Sequence, residues 1–149
     1  VFIRITIKVA FCMASTINPQ SALIYVMVTM AAVDGNISDN ELKKIGNITA
    51  VLPAFKDYSQ EKLVPTAQEC ASILQEDDGL ETVLGLVKEA LPVHMRETAY
   101  AMATEVAAAD LQIGQEELRL LEIIRHKLDV ERLVAAAIER GTRARHLRP

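Results

Sequence analysis

The spacing of apolar residues changes after the first dozen positions of the chain. In residues 1–12 the apolar residues alternate with Arg4, Thr6 and Lys8, which is the period of a β-strand. From Asn18 onward apolar residues recur at helical spacing, and the first stripe consists of Leu23, Met27, Met30 and Ala31. The pattern predicts an all-α, compact single-domain bundle that follows a strand-like arm, and no second strand is predicted to pair with that arm.

Capping and breaking residues divide the helical part into segments. We predict helix starts at Asn18, Ser38, Thr66 and Asp129, and helix stops at Gly35, Pro53, Pro92 and Gly141. Pro65 is expected to interrupt the chain before the third start. These signals place the helical domain at residues 18–141, between an N-terminal arm at 1–17 and a basic tail at 142–149.

Two interpretations of the arm remain open. In the first, Met13 is the natural start, and residues 1–12 are an extension that the native protein lacks. In the second, the segment is a true arm that pairs with a partner chain and makes a dimer. A signal peptide is not indicated, because the segment is too short and Lys8 lies in its apolar stretch, and Phe11 before Cys12 is too bulky for a lipoprotein cleavage site.

Charge and composition limit the classes of function. The 149 residues carry 16 Lys and Arg against 20 Asp and Glu, and half are hydrophobic. An acidic body repels nucleic acid and suits hard cations. No apolar run approaches the roughly 20 residues of a membrane span. The two cysteines are far apart and form no zinc motif, so we expect a cytoplasmic protein without membrane insertion.

Residues 30–45 resemble residues 106–121 at an offset of 76 (110 − 34, 117 − 41). The offset aligns the acidic pair Asp34 and Glu41 with Asp110 and Glu117. All four continue apolar helix faces, so their carboxylates are expected to point inward. The sequence therefore predicts two pseudo-repeated helix–turn–helix halves whose acidic residues approach one another.

Four converging carboxylates repel one another unless a cation separates them. Oxygen ligands favour calcium, magnesium or manganese over zinc. An EF-hand is excluded, because the sixth and twelfth positions from Asp34 are Asp39 and Ile45. The alternative is structural: Glu41 completes a capping box with Ser38, and Asp34 closes a turn onto nearby backbone N–H groups.

The stretches "AAVDGNISDNE" and "AAADLQIGQEE" together resemble the TerB family, named for tellurite-resistance protein B. The resemblance implies a domain of about seven helices in the bacterial cytoplasm, linked to tellurite and other chemical stress. It also implies that acidic residues of the motif bind a metal ion. By motif position these residues are Asp34, Glu41, Asp110 and Glu117. The second copy departs from the motif at Leu111 and Gly114.

Motifs of enzymes are not found in the sequence. His94, His126 and His146 share no ligand spacing, and no P-loop, nucleophile elbow or G-x-G-x-x-G occurs. We therefore expect a domain that is not an enzyme. The alternative to a metal-binding module is a protein–protein interaction domain, or adaptor, that works without metal.

Overall fold

The computed structural model describes residues 17–108 and 113–149, apart from the side chain of Asp34. Within these residues the chain forms seven α-helices and no strand. The helices are α1 Pro19–Ala31, α2 Asp39–Val51, α3 Leu63–Leu74, α4 Gly79–Ala90, α5 Arg96–Ala108, α6 Gln115–Lys127 and α7 Arg132–His146. The all-α prediction is confirmed, and the strand predicted in residues 1–12 lies outside the described part of the chain.

Helix α1 is the central helix of the bundle. Every residue from 22 to 31 is buried, and the helix packs against α3, α4 and α5. The sequence predicts a single apolar stripe on this helix, but its buried surface is wider than that stripe. The reason is that other helices pack against α1 on several sides. The buried hydroxyl of Thr29 in this helix donates to the Tyr25 carbonyl oxygen at 2.7 Å. The polar group is thereby satisfied inside the core.

The first two predicted helix starts are confirmed, and the third is wrong. The Asn18 side chain accepts a bond of 2.8 Å from the Ser21 N–H at the start of α1. Thr66, by contrast, lies inside α3, where its hydroxyl donates to the Lys62 carbonyl oxygen at 2.7 Å. Pro65 does not interrupt this helix, because it lies in the first turn, where its missing N–H has no intrahelical partner.

The predictions for both ends of α7 are also wrong. Asp129 is not the cap, because the helix begins at Arg132 after Glu131. Asp129 instead has a positive φ of 55° and binds Lys88 at 2.9 Å and Arg96 at 3.2 Å. The bond and charge of Lys88, with a smaller contribution from Arg96, lower the pKa of the Asp129 carboxyl. Gly141 does not end α7, which continues to His146 through part of the predicted tail.

Helices α2 and α6 have matching positions in the two related stretches. Each contains 13 residues, and their starts and ends lie 76 positions apart (115 − 39, 127 − 51). The preceding helices, α1 and α5, pack against each other. This correspondence agrees with the offset found in the sequence, and the two-half symmetry of the whole domain stays a prediction.

Candidate functional site

The first turn connects α1 to α2 and ends in a complete capping box. The Ser38 N–H donates to Glu41 Oε2 at 2.8 Å, and the Glu41 N–H donates to Ser38 Oγ at 3.2 Å. Before this box, Gly35 has a φ of 113°, a conformation that a residue with Cβ adopts at a cost. The predicted start of α2 is therefore confirmed, whereas α1 ends at Ala31, and the 3₁₀ turn Ala32–Asp34 separates it from the predicted stop at Gly35.

The second turn keeps half of this arrangement. The Gly114 N–H donates to Glu117 Oε2 at 2.8 Å, which fixes the carboxylate against the start of α6 as in the first turn. Gly114 has no hydroxyl, so the reciprocal bond to the Glu117 N–H is missing. The weaker cap is the physical consequence of the Ser-to-Gly departure noted in the sequence.

Glu41 and Glu117 meet at one small cavity of about 30 Å³. Its remaining walls come from the last turns of α1 and α5, from the 3₁₀ turn after α1 and from one basic side chain of α2: Met30, Ala31, Val106, Ala107, Val33 and Lys44. A space of this size holds about one water molecule or one ion. The structure thus brings together two of the four predicted ligands, although they lie 76 residues apart (117 − 41).

The two aspartates are described less fully. Asp34 is the last residue of a 3₁₀ turn, Ala32–Asp34, that follows α1, and its side chain lies outside the described part. Asp110 falls in the undescribed residues 109–112. Among the side chains that the structure does describe, no three acidic, histidine or cysteine groups converge on one point. The four-carboxylate arrangement therefore stays a prediction.

The chemistry of the cavity suits a hard cation. The capping bonds of both glutamates use Oε2, so Oε1 of each carboxylate lies outside the cap. The ends of α1 and α5 add the negative partial charge of a helix C-terminus on the same side. The described side chains that line the cavity include no cysteine or histidine, the ligands that zinc prefers. Lys44 brings a competing positive charge.

The comparison with protein families identifies the family of the chain. The family model described as tellurite resistance protein TerB matches residues 20–139, which is most of the chain. The chain belongs to the TerB family. Searches of curated proteins and of solved structures returned no match. The TerB match ends at residue 139, inside α7, so about the last two turns of that helix lie beyond it.

A second cavity, of about 830 Å³, also borders the first turn of this TerB domain. Its walls come from α2, α3, α6 and the turn, and they are mainly apolar, with Asp39, Glu116 and Arg119 among the charged residues. Sequence reasoning missed this cleft, because its lining residues come from distant segments. No local spacing connects them.

A polar seam between α5 and α7 was also missed. The hydroxyls of Thr104 and Thr142, both buried, lie 3.1 Å apart, and the His146 ring nitrogen lies 2.6 Å from Glu105 Oε2. At the other end of the seam the Tyr100 hydroxyl donates to Glu139. The sequence placed His146 in a tail, whereas it is half-buried at the end of α7. The signal available was the continued helical spacing beyond Gly141.

The described residues include no helix with the length and hydropathy that crossing a lipid bilayer requires.

Proposed function

We propose that this TerB domain binds a divalent metal ion where its two turns meet. Glu41 and Glu117 would supply carboxylate oxygens, and Asp34 and Asp110 would complete the site from the ends of α1 and α5. The role is binding rather than catalysis. Following the family description, the proposed setting is a cytoplasmic response to tellurite or related chemical stress.

One observation carries the proposal: glutamates from two separate motifs line the same small cavity. Two carboxylates about 4 Å apart repel each other by about 4 kcal/mol at an effective dielectric of 20, and a shared cation reverses this cost. Lys44 lines the same cavity and offsets part of the repulsion. A metal ion therefore competes with a resident ammonium group.

The donor set supports calcium, magnesium or manganese as the ion. Carboxylate oxygens are the ligands that these metals share, and calcium tolerates an irregular arrangement better than magnesium does. A bound ion would hold the first turn against the second. This contribution to stability is what a binding experiment can measure.

The alternative function is an adaptor domain that works without metal. The bonds of Glu41 to Ser38 and of Glu117 to Gly114 favour it, since they give both glutamates a structural role. The two functions differ in one respect. A cap needs only a side-chain oxygen, whereas a cation site needs the negative charge as well.

Glutamine substitutions separate these roles. Glu41→Gln and Glu117→Gln keep the oxygen of a capping box but remove the charge. Glu116→Gln is the matched control, because Glu116 is exposed in the same turn of α6 and does not line the cavity. Melting temperatures would be measured with a chelator and then with calcium, magnesium or manganese in the millimolar range.

For the wild type we expect a gain of about 2.7 kcal/mol at an ion concentration about 100 times the dissociation constant. In a domain of this size that gain corresponds to roughly 5–10 °C. Glu41→Gln and Glu117→Gln should lose most of it, and Glu116→Gln should keep it. If none of the three ions moves the wild-type melting curve, the metal proposal is wrong and the adaptor function gains support.

A further inference from the structure

A groove separates helices α6 and α7. Both helices pack against α5, but they make no extensive contact with each other. Two cavities, of about 460 Å³ and 240 Å³, lie along this gap. They share the lining residues Leu118, Leu121, Ala136 and Glu139, so they form one continuous depression. We call it the α6–α7 groove.

The floor of the groove presents large apolar side chains to solvent. Leu118 is 51% exposed and Ile113 is 40% exposed, and both line the larger cavity. Leu121 and Ala136 extend the apolar floor into the smaller cavity. Single exposed apolar residues are common, but a contiguous apolar depression between two helices is typical of an interaction surface.

The rim of the groove carries the charge opposite to that of the whole protein. The formal net charge of the chain is −4. Among the described residues, the groove is lined by four arginines, Arg125, Arg132, Arg140 and Arg143, by His146, and by two acidic residues, Glu122 and Glu139. Arg132 and Arg143 are about 16 Å apart along α7 at the helical rise per residue. The positive charge is therefore spread along the groove.

We propose that the α6–α7 groove binds an amphipathic helix of a partner protein, with apolar residues on one face and acidic residues at its sides. A helix lying between α6 and α7 would bury the exposed leucine and isoleucine, and its carboxylates would meet the arginines of α7. Nucleic acid fits less well, since it does not bury an apolar floor. Among the described residues, none lines both this groove and the small cavity of the proposed metal site.

The probe is a synthetic helical peptide of about 15 residues, with leucines at positions i, i+4, i+7 and i+11 and glutamates beside them. The matched peptide has lysine in place of every glutamate. Each is titrated to about 1 mM, which detects weak complexes, and backbone resonances of the full chain are followed by NMR. A short single-stranded oligonucleotide is titrated in parallel.

Two variants test the groove itself. Leu118→Ser changes the exposed floor, and Arg140→Gln combined with Arg143→Gln changes the rim. The matched control combines Lys43→Gln with Lys56→Gln, which removes two exposed positive charges outside the groove.

We expect the acidic peptide to shift resonances around Leu118 and Arg140, and to bind about tenfold more tightly than the lysine peptide. The Leu118 variant and the double arginine variant should weaken this binding by about tenfold, while the lysine control leaves it unchanged. Equal binding of both peptides, shifts confined to other surfaces, tighter binding of the oligonucleotide, or no shift at about 1 mM peptide would each overturn the proposal.

Discussion

The surroundings of Cys70 determine the reactivity of its thiol. The side chain is fully buried, its Sγ donates to the Tyr25 carbonyl oxygen at 3.6 Å, and the Thr29 hydroxyl lies 4.0 Å away. Burial raises the pKa of the thiol to about 12, although the bond with Thr29 opposes this effect. Since the thiolate is the reactive form, Cys70 is a core residue and not a redox sensor.

Alkylation of Cys70 should therefore require unfolding. In a Cys12→Ser variant, which leaves Cys70 as the single thiol, we expect no modification by iodoacetamide at pH 8 in native buffer over an hour. In urea above the unfolding midpoint the same thiol should react fully. Mass spectrometry measures both. Rapid labelling in native buffer would contradict the buried environment.

Some single-residue roles could be predicted from the sequence and others could not. The bonds between Ser38 and Glu41 join residues three positions apart, so the spacing alone predicted them. The sequence predicts Asp129 as a helix cap, whereas in the structure its carboxylate binds Lys88 and Arg96. These partners are distant along the chain, so local spacing does not reveal them. Local spacing identifies local bonds, and tertiary packing decides the remaining ones.

Helices as elements were predicted better than their ends. The period of apolar residues predicts α2 and α6 correctly. It does not predict the end of α7, because glycine at position 141 indicates a C-terminal stop. Gly141 lies inside α7, and a Cβ added there meets no atom within 4 Å. Glycine is a statistical signal for a helix end. Here the contacts of Thr142 with Thr104 and of His146 with Glu105 stabilise the part of α7 that follows Gly141.

A substitution at Gly141 tests this end of α7, and one at Gly35, in the first turn, provides the contrast. Gly141→Ala should raise the free energy of unfolding by about 0.5–1 kcal/mol, because alanine favours a helix interior. Gly35→Ala should lower it by about 1–2 kcal/mol, because alanine is strained at a φ of 113°. Urea unfolding curves measure both changes. A loss of stability in Gly141→Ala would mean that the helix ends where the sequence suggested.

At the scale of the whole molecule, the sequence predicted the fold class and the repeated turns but not the spaces between helices. The meeting of Glu41 and Glu117 required α1 and α5 to pack together, which the repeat suggested. The groove between α6 and α7 had no such signal. The groove exists because both helices pack on α5. The spacing of residues within either helix does not predict this packing.

Buried phenol and thiol groups also give the whole molecule a pH dependence. Desolvation by burial is the main cause that raises the pKa of Tyr25 to about 12, and it raises the pKa values of Tyr58 and Tyr100 as well as that of Cys70. The folded chain therefore keeps protons that the unfolded chain releases at high pH. It follows that increasing pH favours the unfolded state.

We expect the free energy of unfolding to fall steadily between about pH 9 and pH 12. Urea unfolding at several pH values in this range measures the slope. Tyr100→Phe, which has no proton to release, should make the slope shallower even if it changes the absolute stability. A flat or rising profile above pH 10 would contradict these pKa shifts.

The central position of α1 has a consequence for synthesis on the ribosome. This largely apolar helix is made before its partner α5, which follows only when residues 96–108 have been translated. At about 5–20 residues per second, α1 waits roughly 4–15 s for that partner. During this interval the nascent chain exposes the apolar residues of α1, which makes it a natural substrate for chaperones that bind apolar stretches.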